Sequence, residues 1–306
     1  TSSIYVRPFT LHETEAYLLR KHCKWDRYQI LQCYMVFGGI PFYLSLINAK
    51  ESLVQNVDRL FFAQGGIMRS EFDELYNALF SNADLYISVV KGLAAHHDGM
   101  SREEISKATG ITGGTLTRVL TNLERCDFVS RNQNFAHKVK DTIYRLVDFY
   151  TLFYYKFILP DVSGDEQWWS HHFESRQVST WQGLTFEIVC LMHTDGIKRA
   201  LGISGMATEV SSWRKAATEG QNGGQIDLVI KRADRIIHLC EMKFSKSQYR
   251  ITEAYEQLLR QRLELFQSST KTKYSLVITF VTTYGIADGL HHSLVHSEVT
   301  MEQLFI

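Results

Sequence analysis

Three charged residues interrupt otherwise apolar stretches near the carboxyl end of the chain: Asp227 within Gln225-Ile226-Asp227-Leu228-Val229-Ile230, and Glu241 and Lys243 within Leu239-Cys240-Glu241-Met242-Lys243. Side chains alternate along an extended chain, so a strand here places Asp227 on the face opposite Ile226, Leu228 and Ile230. A second strand puts Glu241 and Lys243 together on one side. If the two strands pair in the right register, two carboxylates and one ammonium group meet. Carboxylates are the hard oxygen ligands that Mg²⁺ (or Mn²⁺) prefers, and two of them leave positions for water and a phosphate oxygen. A lysine beside that water orients it, or stabilises negative charge developing on the phosphorus. The expected site is therefore Asp227 and Glu241 as metal ligands with Lys243 as the catalytic cation. Upstream, Trp181-Gln182-Gly183-Leu184-Thr185-Phe186-Glu187 offers a third acid, Glu187, near the start of a helix able to pack beneath the sheet.

The elements that must position these groups follow from period and punctuation. Beyond Trp168 the pattern is α/β: a helix over 181–193, strands over 226–231 and 235–244, a long helix over 251–267, a strand over 274–282, and a short strand or turn over 299–306. Before it, residues 10–75 read as a small bundle, with helices over 11–23, 25–37, 41–49 and 51–62 broken at Gly38-Gly39 and Gly65-Gly66. An amphipathic stretch covers 71–95. Ser101 with Glu104 three residues on is a capping box that opens a helix to Thr109, Gly110 makes the turn, and a second helix runs from 115 to 125. Phe128-Val129 and 142–146 flank the polar tip Arg131-Asn132-Gln133-Asn134, as a two-stranded wing does, which makes the module a winged helix. The aromatic run 149–157 reads as a buried helix rather than a stacking platform for bases. Residues 161–165 are the best linker. The expected domains are 1–75, 76–165 and 166–306.

Composition narrows the classes. A chain of 306 residues with 45% hydrophobic and 12% aromatic residues exceeds what one core usually organises. Lys+Arg and Asp+Glu are equal at 33 each, so nucleic-acid binding must rest on local patches. The five cysteines form no CxxC pair, which fits reduced thiols in a cytoplasmic protein better than a disulfide framework or a zinc site. The adjacent pairs His96-His97, His171-His172 and His291-His292 point different ways and read as ordinary surface or packing histidines. No apolar run approaches a membrane span, so no membrane partner is expected. The chain opens at Thr1 without an initiator Met, reading as the remainder of a longer polypeptide.

A helix bearing an acid, then D-x13-E-x-K on a β-hairpin, then a long helix, resembles the PD-(D/E)XK nuclease superfamily and its restriction-endonuclease-like fold. The resemblance implies catalytic roles for Asp227, Glu241 and Lys243, a supporting role for Glu187, and a contribution from Gln257 on the following helix. The amino-terminal two thirds, with Gly38-Gly39-Ile40-Pro41 after helices and then a winged helix, resemble the lid and winged-helix portion of the archaeal-type AAA+/STAND ATPases of prokaryotes. That resemblance implies a lid turn at Gly38, Gly39 and Pro41 that closes over a nucleotide. No GxxxxGK[ST] is present, so ATP is implied only for a parent protein whose ATPase core lies upstream, a partner in the same polypeptide.

Two readings stand for the winged helix. In one, its second helix and wing grip DNA through Thr115, Thr117, Arg118, Thr121, Asn122, Arg131, Lys138 and Lys140. Between 113 and 145, six basic residues, Arg145 among them, face three acids, Glu124, Asp127 and Asp141. In the other, the module packs on the ATPase core or mediates assembly, a homo-oligomer included. The function expected overall is an ATPase-linked, Mg²⁺-dependent nuclease acting on nucleic acid. The alternative is a non-catalytic regulatory module with a degenerate nuclease fold. The fold class expected is multidomain α plus α/β.

Overall fold

The computed structural model describes residues 5–135, 142–217, 223–290 and 292–306, and is mixed α and β: among these residues there are fourteen α-helical segments and two sheets. None of the described helices is long and apolar enough to cross a membrane. The chain forms two compact units, one of residues 1–131 with 143–182, the other of residues 132–142 with 183–306.

The first unit opens with α1 (Leu11–Arg20), started by a capping box between Thr10 and Glu13, and α2 (Arg27–Phe37), started by another between Asp26 and Gln29. Gly38 ends α2 at φ +64°, and a Cβ on Gly39 would lie 2.0 Å from the Phe9 carbonyl oxygen, so both glycines are needed for the turn itself. Pro41 then begins α3 (Pro41–Ser45), pre-set for a first helical turn. This helix is shorter than the 41–49 expected. The next, expected over 51–62, is α4 (Leu53–Val57) running into a π-helical turn, Asp58–Phe62. That turn aims the Asp58 carboxylate at α10 (Trp168–His172), where it accepts from the Trp169 amide at 2.8 Å and satisfies an otherwise orphaned helix start.

After α5 (Ile67–Leu79) and α6 (Ala83–Ala94) come β1 (Met100–Ser101), α7 (Arg102–Thr109), α8 (Gly113–Arg125), β2 (Val129–Asn132) and β3 (Ile143–Leu146). The three strands form one sheet in the order β1-β3-β2. Gly110 closes α7 in the left-handed conformation, and Leu116, Val119, Leu120 and Leu123 turn one face of α8 inward. The aromatic run is α9 (Phe149–Phe153) with a second π-helical turn, and it is buried as its composition requires: Phe153 lies 4.6 Å from Phe61 and 5.1 Å from Trp169, ring to ring.

The second unit is built on a five-stranded sheet of β4 (Thr208–Lys215), β5 (Gly224–Arg232), β6 (Ile236–Lys243), β7 (Ser275–Thr282) and β8 (Val295–Thr300), in that order. Its first three strands are antiparallel, and β7 and β8 follow β6 in parallel. The crossover from β6 to β7 is α13 (Glu253–Thr270), capped by Thr252 and ended by Lys271 in the left-handed region. Leu259 and Phe266 of α13 pack on two apolar clusters, one with Trp213, Ile226, Val229, Ile237 and Leu239, the other with Ile278, Phe280 and Ile286. The opposite face meets α11 (Arg176–Met192), whose Phe186 ring lies 5.7 Å from that of Phe244. This helix starts five residues before the 181 expected. Between α11 and β4 runs α12 (Thr194–Ala200), and the chain ends in β8 followed by α14 (Met301–Leu304), where a single strand or turn was expected.

Candidate functional site

Strand β5 is rich in Ile and Val and is held between β4 and β6. Its pairing with β6 sets Leu228 opposite Cys240 and Val229 opposite Leu239. The paired register ends at Leu228 and Cys240, with Asp227 and Glu241 the next residues beyond it on the two strands, and Asp227 lies near enough to act on Arg262, the partner of Glu241. On its other side β5 carries a bulge. Ser211 pairs Val229 and Trp213 pairs Ile226, so Asp227 and Leu228 together oppose one residue of β4. The bulge corrects one detail of strict alternation: Ile226 packs with Val229 in the α13-side cluster instead of facing away from the acid's side. Asp227 is half-buried, and its Oδ1 accepts from Gln225 Nε2 at 2.9 Å.

Glu241 and Lys243 share the α13 side of β6, as their two-residue spacing requires, and Lys243 Nζ stands 3.9 Å from Glu241 Oε2. Glu241 is 8% exposed, and both its oxygens are engaged. Tyr255 Oη donates to Oε2 at 2.8 Å, and Arg262 donates to Oε1 in an ion pair. Both partners come from α13, where Tyr255, Leu259, Arg262 and Phe266 fall at i, i+4, i+7 and i+11 and line the face toward the sheet. Burial pulls the Arg262 guanidinium down, but Glu241, with Asp227 adding a smaller share, outweighs it and leaves the pKa raised. Burial and then Glu241 push the Tyr255 phenol up, so it stays a donor. The Lys243 ammonium lies 4.9 Å from the centre of the Tyr255 ring. The cluster sets two acids against two cations. Arg262 also lines a cavity of about 770 Å³ together with Lys215, Gly223, Gly224, Gln261 and Ser268.

The remaining expected residues divide. Glu187 is half-buried on α11, in the field felt by Cys190. Among the described residues no three of His, Cys, Asp and Glu gather as a cage for a metal ion, so Glu187 does not complete one with Asp227 and Glu241. Gln257 is exposed, two residues from Tyr255 and therefore turned away from the sheet. On α8, Thr115, Thr117 and Arg118 are exposed, whereas Asn122 donates to Tyr86 Oη at 2.8 Å, a bond that holds the fold together. Arg131 is exposed and 3.5 Å from Glu124. Arg145, counted toward the basic surplus, is 4% exposed and adds nothing to a surface patch. Lys138 and Lys140 lie outside the described residues.

Sequence reasoning missed Tyr255 and Arg262. The signal was present: an aromatic and a basic residue seven apart on the stripe of α13 that also carries Leu259 and Phe266 must face the sheet. It was obscured because arginine on a helix ordinarily reads as solvated.

No family model matches the chain, and no solved structure matches it. Among curated proteins, the uncharacterized protein MJECL04 of Methanocaldococcus jannaschii is 25% identical over 143 residues, covering 45% of this chain and 31% of that protein. The match therefore spans about a third of the length of that relative.

Proposed function

We propose that the second unit is a restriction-endonuclease-like domain that acts on nucleic acid phosphodiesters, with Asp227, Glu241 and Lys243 at its centre. The observation that carries this reading is the meeting of Glu241 with Lys243 on β6, with Asp227 of β5 acting on the Arg262 that pairs with Glu241, under a helix that crosses over to a parallel strand. The donor set suits a hard divalent cation, and the guanidinium of Arg262 already stands as a cation on Glu241. In its place, Asp227 and Glu241 would hold Mg²⁺ or Mn²⁺, which when bound polarises a phosphoryl oxygen and acidifies a water. Lys243 orients the attacking water or meets the charge gathering on phosphorus.

Around this centre, α7, α8 and the sheet β1-β3-β2 support a winged helix whose exposed Thr115, Thr117 and Arg118 contact DNA. The Gly38-Gly39-Ile40-Pro41 turn supports the reading of residues 1–75 as an ATPase lid. ATP then belongs to a parent polypeptide. A second reading draws on one observation: the two oxygens of Glu241 are saturated by Arg262 and Tyr255, as in a non-catalytic module that grips nucleic acid or protein through a degenerate nuclease fold.

Calorimetric titration of the full chain with Mn²⁺, paired with cleavage of plasmid and of RNA, separates them. Asp227→Ala is expected to abolish Mn²⁺ binding and cleavage. Lys243→Ala is expected to keep binding and lose cleavage by roughly 10²- to 10³-fold, the usual effect of removing one transition-state donor. Absence of Mn²⁺ binding, or cleavage indifferent to both changes, would overturn the catalytic reading.

A further inference from the structure

Arg262 faces two ways. It pairs with Glu241 within reach of the Asp227 field, and it also forms part of the wall of the 770 Å³ cavity beside the carboxylates. Leu258 and Leu265 give that cavity an apolar side, and its charged groups favour an anion. Among its described lining residues Lys215 is the second cation, Gln261 and Ser268 are neutral donors, and Glu264 is the one acid. Its glycine wall cannot be filled in. A Cβ on Gly223 would lie 2.8 Å from the Ala217 amide nitrogen, and one on Gly224 would lie 3.0 Å from Trp213 and Leu265. The volume falls within the range of small-ligand pockets.

We infer that this cavity seats a nucleic-acid phosphate, and that Arg262 is shared between the seat and the carboxylates. It rests on Glu241 while no divalent cation is held there, and it turns onto the phosphate when Asp227 and Glu241 take one. This rests on the nuclease-type reading of the centre. A guanidinium suits both partners, because its planar fork matches carboxylate and phosphate alike. The exchange leaves no buried charge alone in either state, which is the costly alternative. With Arg262 on Glu241 the carboxylates are closed to a divalent cation, and with Arg262 released the seat gains its strongest donor. Cation and nucleic acid therefore promote each other's binding, and the coupling is reciprocal by linkage. Lys215 lines the seat and is not one of the groups exchanged.

The test uses the full chain, Ca²⁺ as a cation that takes the same hard oxygens, and a fluorescently labelled single-stranded oligodeoxynucleotide. Calorimetry reads Ca²⁺ affinity, and anisotropy reads oligonucleotide affinity. In the wild type each ligand is expected to tighten the other by roughly ten-fold, a common size for such coupling. Arg262→Gln is expected to bind Ca²⁺ more tightly without oligonucleotide and to show no coupling. Arg262→Lys, which keeps a cation for Glu241, is expected to restore the competition with Ca²⁺ but not the tight clasp on phosphate. Lys215→Ala should leave Ca²⁺ affinity unchanged, weaken the oligonucleotide, and lower its salt dependence by about one phosphate contact. Circular dichroism melts confirm that each variant is folded. Ca²⁺ and oligonucleotide that bind independently in the wild type, or a coupling that survives Arg262→Gln, would overturn the inference and leave the nuclease-type reading standing. If neither Ca²⁺ nor Mn²⁺ binds wild type or Arg262→Gln, the nuclease-type reading falls and this one with it.

Discussion

The sheet of the second unit buries polar groups on both faces and treats them differently. Toward α11, His238 is 2% exposed, with Nδ1 2.8 Å from Thr279 Oγ1 and Nε2 3.2 Å from an Arg232 nitrogen. Arginine only donates, so Nε2 accepts and the ring proton sits on Nδ1, where it bonds to Thr279. Burial first, and Arg232 second, lower the His238 pKa to about 4. On the same face burial drives the Cys190 and Cys240 thiols up. This face removes charge. Toward α13, the sheet instead keeps Glu241 in ion pairs with Arg262 and Lys243, with Asp227 acting on Arg262. Desolvation disposes of charge permanently, whereas pairing stores it in a form that a ligand can exchange, and only the second arrangement suits a site.

The largest way to probe that contrast is Arg262→Ala. It leaves Glu241 buried without its main counter-charge, and the expected loss is about 3 kcal/mol, the lower end for breaking a buried pair, since Arg262 itself is partly exposed. Urea denaturation measures it. A loss near that of an exposed pair, under about 1 kcal/mol, would mean that solvent screens the cluster and the two faces do not differ.

The other face is probed by pH. The folded-state pKa of His238 lies below the ordinary 6.5, so the unfolded chain binds the extra proton as pH falls below 6.5 while the folded protein resists until about 4. Stability conferred by neutral His238 is thus complete above about pH 6.5 and is lost on acidification through that window, by about 2 kcal/mol on reaching about pH 5. His238→Gln should flatten this part of the stability profile. An unchanged slope in the variant would show that His238 does not titrate abnormally, and that charge removal is not how this face works.

Much of this architecture was legible. Strands β5, β6 and β7 and the helix between them declare themselves through apolar runs bounded by polar turns, and the shared side of Glu241 and Lys243 follows from a period of two. Strand β4 was not legible, because Thr208-Glu209-Val210-Ser211-Ser212-Trp213 is an edge strand with mostly exposed or half-buried side chains and only Trp213 fully inside. The bulge at Asp227 was hidden for the same reason: it exists only relative to β4. The stripe of α13 turns Arg262 toward the sheet, but its partner lies 21 residues away, and no local pattern names that partner.

The smallest effect distinguishes the two oxygens of Glu241. Tyr255→Phe removes the hydrogen bond to Oε2 but keeps the ring that Lys243 overlies and that packs beside Ile251 and Leu259. The expected loss is about 1 kcal/mol, that of one hydrogen bond to a charged acceptor that Lys243 can partly replace from 3.9 Å. Because Arg262 holds the other oxygen, Arg262→Ala and Tyr255→Phe act on one carboxylate and should not be additive, the double variant departing from the sum by at least about 0.5 kcal/mol. Strict additivity in a double-mutant cycle would mean that the two contacts do not share Glu241 in solution. The charged face would then be a set of separate surface pairs, with no joint site for a cation to enter.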